Sequence, residues 1–384
     1  MVETASTSPG QVLAVLRAEG PLTREQLRQR VGLSRVTMVE RIDALRRLGL
    51  LRQVGHRQSS GGRRAELLAV DDTGHTALVA DLGQSHATLA VVDLRGTVFA
   101  REDRRLRVGH EPGKVVPMLV EVGRELLAEA GRAGSLRAVA LAVPGRIDHE
   151  RGRCLAPPTM PGWSEVPLRD RLADAFGVPV LLENDANAGA LGDYYALGRP
   201  DATLVGVRVG IGIGAGLVIA GRVHRGQSNA AGEIGHMRVE GSDRPCSCGR
   251  RGCVAAEASG QALSRLLRPV GVRSVDEVVS RVADGQPRAV RAVTEAGRLL
   301  GTVLTAVVTV VNPRYMRFGG AIGVLEPFLA GVRTAVQAGA SAGVLDGLDI
   351  GASRLGANGA FAGLSGMVAD ELLAPSAVDA LCGL

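Results

Sequence analysis

Apolar positions change their spacing once along the chain, and the change divides it. In "QVLAVLRAEG" (11–20), Val12, Val15 and Leu16 recur at the spacing of a helix with one buried face. Thr23 and Gln26 stand three apart, a capping-box pair that opens a short second helix ending at Gly32. Ser34 caps a third helix whose Met38, Ile42 and Leu45 form an apolar stripe, a register that turns Arg35, Thr37 and Arg41 outward. "LLRQVGHRQSSGGRRAELLAV" (50–70) then reads as two short strands around a Ser/Gly/Arg loop. Residues 1–72 therefore predict either a generic helical hairpin or a winged helix-turn-helix. The latter lays its second helix in the major groove and its wing on the backbone or minor groove. In that case Arg35 and Thr37 touch base edges, while Arg41 and the wing's Arg57, Arg63 and Arg64 bind phosphate or minor groove.

From Thr76 the pattern becomes α/β. "ALVADLGQSHATLAVVDLRGTV" (77–98) alternates like a strand, turns at Gly83 and returns through a hairpin closed by Gly96. "TLVGVRVGIGIGAGLVIAGRVH" (203–224) repeats the phrase, turning at Gly210 and closing at Gly221. Two such units predict an internally duplicated, two-lobed fold. The first lobe is expected over 73–188, completed by a C-terminal helix (365–384), and the second over 189–364. "LLGTVLTAVVTVVN" (299–312) is too short to span a bilayer and reads as a buried helix leading into Pro313.

Composition narrows the class. At 384 residues two or three domains are expected, and 46% hydrophobic with 22% charged residues describes a globular chain with a real core. Aromatics at 2% argue against a stacking platform for single-stranded nucleic acid. Of the net charge of +6, a surplus of four lies in residues 1–72, where a phosphate-binding module would want it. The first residues carry no signal-peptide pattern, so a cytoplasmic protein without a membrane partner is expected.

Two stretches carry candidate chemistry. In "VPVLLENDANAGALGDYYALG" (178–198) a buried strand runs into Glu183-Asn184-Asp185 and a helix begins at once. Carboxylate and amide at a strand's C-terminal end, facing a crevice, are where α/β proteins place ligands; the same residues also suit a plain helix N-cap. In "AAGEIGHMRVEGSDRPCSCGRRGC" (230–253), His236, Cys246, Cys248 and Cys253 have the spacing H-x9-C-x-C-x4-C. One imidazole and three thiolates make a closed tetrahedral structural zinc site, favoured over a disulfide framework in a reducing compartment. The metal would hold Glu233, three residues before His236, in place. Cys154 and Cys382 read as packing residues.

"VPGRID" (143–148), "ENDANAGAL" (183–191), "AAGEIGHM" (230–237), "CSCGRRGC" (246–253) and "NPRYMRFGGAIG" (312–323) occur in the order found in the ROK family of repressors, open reading frames and sugar kinases. Over about 76–370 the chain resembles that family, and with the N-terminal head it resembles the transcriptional-repressor branch. The resemblance implies the duplicated actin-like, hexokinase-type fold and a homodimer or homotetramer. It also implies that Asn184, Asp185, Glu233 and His236 contact sugar hydroxyls.

Members with kinase activity need two phosphate loops and an aspartate base, here Asp185. The first loop, from Asp81 through Gly83, carries Gln84 in place of a second glycine, crowding the backbone's approach to phosphate. The second, Gly210-Ile211-Gly212, has Ile211 where kinases typically carry Thr, which removes a donor to a phosphate oxygen. Family members also commonly have Glu two residues after the last zinc cysteine. This chain has Ala255 there and Glu257 two positions on, a helical rotation of about 200°. Together these features imply a non-enzymatic, sugar-responsive regulator of carbohydrate-metabolism genes that binds operator DNA as a repressor. The alternatives are an ATP-dependent sugar kinase with a DNA-binding head and a constitutive repressor with a dead pocket.

Overall fold

The caps expected in the first helices are the ones that form. The computed structural model describes residues 8–57, 65–84, 86–105, 112–155 and 160–383. Helix α1 (Pro9–Glu19) buries Val12, Leu13 and Leu16. After the two-residue strand β1 (Leu22–Thr23), α2 (Arg24–Val31) opens with the reciprocal Thr23/Gln26 box and ends at Gly32 in the left-handed region, φ 76°. Ser34 caps α3 (Arg35–Arg47), and Met38, Ile42 and Leu45 are its buried stripe. Strands β2 (Leu51–Arg57) and β3 (Ala65–Val70) pair antiparallel, and β1 adds to the far side of β3. Glu66 on β3 ties the sheet to the helices through Arg46 of α3 and Arg24 of α2.

The first lobe is built on β4 (Thr76–Leu82), β5 (His86–Asp93) and β6 (Val98–Arg105), an antiparallel meander. Helix α4 (Pro112–Glu129) leads to β7 (Leu136–Val143), parallel to β4; the short pair β8 (Ile147–Asp148) and β9 (Arg153–Cys154) and helix α5 (Leu168–Phe176) lead to β10 (Val180–Asn184), parallel to β7. Helix α6 (Asp185–Ala196) then crosses to the second lobe. There β11 (Leu204–Val209), β12 (Ile213–Ile219) and β13 (Arg222–Val223) form another meander. Helices α7 (Val254–Ala258), α8 (Gly260–Leu266), α9 (Val275–Ala283) and α10 (Pro287–Val311) precede β14 (Tyr315–Gly319), which is parallel to β11. Beyond it come α11 (Gly320–Gly323), α12 (Glu326–Gly339), α13 (Ala342–Leu345) and β15 (Asp349–Ala352), and the chain ends in α14 (Gly359–Leu372) and α15 (Pro375–Leu381).

The two large sheets run β10-β7-β4-β5-β6 and β15-β14-β11-β12-β13, the same order of each lobe's own strands. The repeated glycine-turn phrase is therefore one sheet built twice. Between the sheets lie α6, packed on β11 and β12, and α14, packed on β4 and β7. Glycines permit this closeness. A Cβ on Gly216 of β12 would fall 2.7 Å from the Ala186 carbonyl, and one on Gly363 of α14 would fall 1.8 Å from that of Ala188. Larger residues would push the layers apart.

One apolar core runs from the head into the first lobe: Leu16, Met38 and Leu45 join Val378 of α15, Phe361 and Leu364 of α14, and Ala77 and Val79 of β4. At this junction the Gly10 amide donates to Asp379 Oδ1 at 2.8 Å, and a Cβ on Gly10 would sit 2.2 Å from the Pro375 carbonyl. The apolar stretch 299–312 falls in α10, a helix long and apolar enough by length and composition to cross a membrane. Its Gly297 and Gly301 take the backbone of α12 against them, so one face of the helix packs into the second lobe while Thr302, Thr309 and Val310 stay exposed.

Candidate functional site

The metal-type residues converge. His236 sits in a single 3-10 turn (Ile234–His236), and the cysteines come from the loop ahead of α7, folded back by left-handed Gly249 (φ 84°) and Gly252 (φ 75°). The four donor atoms lie within 4.8 Å of one another, with Cys246 Sγ 3.5 Å from His236 Nδ1 and Cys248 Sγ 3.7 Å from Cys253 Sγ. Bonds of about 2.3 Å to sulfur and 2.0–2.1 Å to nitrogen give tetrahedral edges of about 3.5–3.8 Å, so the set fits one tetrahedral ion. Burial, together with the neighbouring thiols, pushes the Cys253 thiol up to about 12, so loading a metal must release a proton there. With Nδ1 turned to the cluster, His236 presents Nε2 to Glu233 Oε2 at 3.6 Å, the metal–imidazole–carboxylate order expected of an orienting partner. Glu257 faces the cluster loop instead, accepting from Ser242 Oγ at 2.6 Å and pairing with Arg244 at 3.0 Å.

The residues expected to bind a ligand come from two segments gathered on β12. The Ala215 amide donates to the Gly232 carbonyl at 2.9 Å, and Gly232 (φ 90°) is so close that a Cβ would lie 1.9 Å from the Ala215 carbonyl. The next residue, Gly216, backs onto Ala186 and Asn187. Adjacent residues of one strand thus hold the Glu233–His236 turn and the start of α6. Arg225 adds a direct tie. Its guanidinium pairs with buried Glu183, which also accepts from the Asn184 amide and from Asn187 Nδ2, each at 2.9 Å. His149 lies near this pair; burial leads in holding it below the ordinary histidine value, so it is neutral at pH 7.

Of the two readings of Asn184, the structure shows the N-cap. Its Oδ1 accepts from the Ala186 and Asn187 amides at 2.9 and 3.1 Å, and its Nδ2 donates to the Gly145 carbonyl at 2.9 Å and to Asp185 Oδ1 at 3.2 Å. The Asp185 carboxylate keeps Oδ2 directed at Arg208, 3.6 Å away. Burial pushes the Asp185 carboxyl up; Arg208 pulls it back, and the charge of Asp81 adds to the rise.

The loops compared with phosphate loops are tight turns. The Gly83 amide donates to the His86 carbonyl at 2.9 Å, and the His86 ring fills the space a Cβ on Gly83 would need. Gly210 donates to the Gly212 carbonyl at 3.0 Å and accepts from the Gly260 amide at 2.8 Å. Half-buried Ile211 offers a carbonyl to the Gln261 amide at 3.3 Å, and Gln84 is half-buried. Asp81 ends β4 nearly buried and accepts from Arg208 at 3.0 Å.

On α3 the outward face departs from the expected one. Arg35 is exposed, but Thr37 is half-buried and its hydroxyl is bonded to the capping Ser34 Oγ at 2.8 Å. Arg41 is half-buried on the side facing Cys382 beyond α15. The exposed apolar residues are Val36, at 70%, and Val39, at 40%. Met38, Ile42 and Leu45 form the buried stripe their spacing predicts, and Thr37 and Arg41 lie at its margin. Arg57 lies on β2, while Arg63 and Arg64 fall outside the described residues.

Sequence reasoning missed Arg208, Arg225 and His149. Arg208 had a visible signal, a lone charge inside an apolar strand; Arg225 had none beyond its proximity to the 230–237 motif.

The family model described as "ROK family" matches residues 78–371. The xylose repressor of Bacillus subtilis is 26% identical over 366 residues, covering 94% of each chain. A solved ROK family transcriptional regulator, described as a homologue of the Escherichia coli MLC protein, superposes with a TM-score of 0.81 at 24% identity, covering 97% of this chain and 98% of its own. A ROK family glucokinase from Streptomyces griseus, solved with glucose and AMPPNP, gives a TM-score of 0.63 at 26% identity, covering 76% of this chain and 98% of the enzyme.

Proposed function

The chain belongs to the ROK family, and from that premise we propose that it is a sugar-responsive transcriptional repressor that releases or grips operator DNA according to a saccharide bound between its lobes. The observation that carries this reading is the course of α6. Its first turn holds Asn184 and Asp185 in the cleft. At its other end Tyr195 donates to Asp370 Oδ2 at 2.7 Å, and Arg199, just beyond, pairs with Asp370 Oδ1 at 2.9 Å. The same Asp370 Oδ1 accepts from Arg17 of α1 at 2.8 Å. One helix and one carboxylate thus connect the cleft to the head.

The head is a winged helix-turn-helix with α3 as its recognition helix. Arg35 reaches base edges, and Val36 and Val39 offer apolar contact to thymine methyls. Arg57, Arg63 and Arg64 meet phosphate or minor groove. Paired heads reading a palindrome require a homodimer or homotetramer.

In the cleft, Asp185 and Glu233 accept from sugar hydroxyls, Asn184, its amide fully engaged in capping α6, holds Asp185 through the Nδ2 bond to Oδ1, and His236 Nε2 faces the same space. Zinc, held by His236, Cys246, Cys248 and Cys253, supplies a fixed tetrahedral anchor for the Glu233 turn. A saccharide touching both α6 and that turn favours one interlobe arrangement, and its leverage on DNA equals its differential affinity for the two arrangements.

Operator binding titrated with a saccharide panel, xylose first because a xylose repressor is among the relatives, tests this reading. We expect one sugar to change operator affinity at least tenfold. Phosphorylation of a panel sugar by ATP, abolished in Asp185→Asn, would instead establish the kinase alternative.

A further inference from the structure

Arg208 is the penultimate residue of a strand that is otherwise buried and apolar. Its neighbours Val205, Val207 and Val209 are at most 1% exposed. The guanidinium leaves the second lobe's sheet and reaches two carboxylates: Nη2 lies 3.0 Å from Asp81 Oδ2 at the end of the first lobe's β4, and Nε lies 3.6 Å from Asp185 Oδ2 in the first turn of α6. Asp81 is 5% exposed, and its Oδ1 is buried with no hydrogen-bond partner.

Two carboxylates converging on one point in a region of low dielectric repel each other, and a cation between them offsets that repulsion. The place is the floor of the cleft, beside both glycine turns, at Gly83 and Gly210. A phosphoryl-transfer centre keeps such carboxylates for a divalent ion that bridges the phosphates and for the nucleophile's proton. An arginine here meets the same charge demand from within the chain. It carries five donors and no acceptor, so it coordinates nothing, and its fixed charge repels an incoming divalent ion.

We propose that Arg208 is the resident cation of this cleft, standing where a metal–nucleotide would have to bind, and that it restricts the cleft to ligands that need no metal. The consequence for ligand class rests on the saccharide-sensing reading; the exclusion of metal does not. Arg208 is thus a specificity-determining residue that also pins β4 of one lobe to β11 of the other.

The test measures Mn2+ binding to the full-length, zinc-loaded chain from the loss of the free-ion paramagnetic resonance signal, with Mg-ATP binding followed by calorimetry. The parent should bind neither in the cleft at millimolar concentration. Arg208→Ala should gain one Mn2+ per chain, at least tenfold tighter than any parent site, and the added Asp81→Asn change should remove it. Arg208→Gln, which keeps more of the volume, should gain the ion as well if the alanine variant is poorly folded. A parent chain that binds Mn2+ or Mg-ATP and loses it in Asp81→Asn overturns the proposal. So do Arg208→Ala and Arg208→Gln chains with parental circular dichroism and no gained ion. If Arg208→Ala gains its ion while no saccharide moves the operator, the sensing reading falls and the role of Arg208 stands; an ion in the parent with an intact sugar response gives the reverse.

Discussion

Cys248→Ser removes one of the four donors of the proposed zinc site, whose His236 presents Nε2 to Glu233. Bound zinc per chain should fall to near zero, and saccharide affinity should drop with it because the Glu233 turn loses its anchor. A zinc-free chain with parental sugar affinity, measured by calorimetry, would uncouple the cluster from the cleft. On the DNA side, Arg35→Ala should cost about 1–3 kcal/mol of operator binding and blur sequence preference, read by mobility shift on operator and scrambled duplexes. Thr37→Ala should act differently, loosening the start of α3 through its lost bond to Ser34 and leaving sequence preference alone. At this scale the sequence was most legible where partners are neighbours. The zinc ligands span one loop, and the capping pairs stand three residues apart. Arg208 and Asp81 are 127 positions apart and Arg225 and Glu183 are 42 apart, so no local pattern could pair them.

Helix α6 runs from Asp185 to a carboxylate, Asp370, that its Tyr195 shares with Arg17 of the head. Asp370 on α14 is pushed up by burial, but its bonds to Arg199, Tyr195 and Arg17 outweigh that and hold it below the usual carboxylate range. Since the folded value is depressed, the stabilisation it gives the junction is present above about pH 4 and lost as pH falls through the folded value. Asp370→Asn should therefore leave saccharide affinity within about twofold while cutting the sugar-induced change in operator affinity at least fivefold. A full sugar response in that variant would mean the signal travels elsewhere. Among the elements, the repeated strand–glycine–strand phrase made the duplicated sheet legible, because both copies alternate in the same way. The α6–α14 contact was not legible. It is made by Gly192 and Gly363 against backbone, and small residues leave no hydrophobic stripe to read.

The whole molecule joins a head, two lobes of one repeated sheet, and a His/Cys cluster in the second lobe. Its head shares a core with the C-terminal helices, through Leu16, Val378 and Phe361. Chelation of the zinc should lower the melting temperature and abolish the sugar response together, followed by scanning calorimetry and by operator binding. In the proposed function, a saccharide in this cleft acts on DNA without being phosphorylated. The most direct test measures operator affinity and ATP turnover in the same sample across the saccharide panel. The account predicts at least a tenfold change in operator affinity with one sugar and no phosphate transferred to it. Operator affinity unmoved by every sugar, or turnover that disappears in Asp185→Asn, would contradict it.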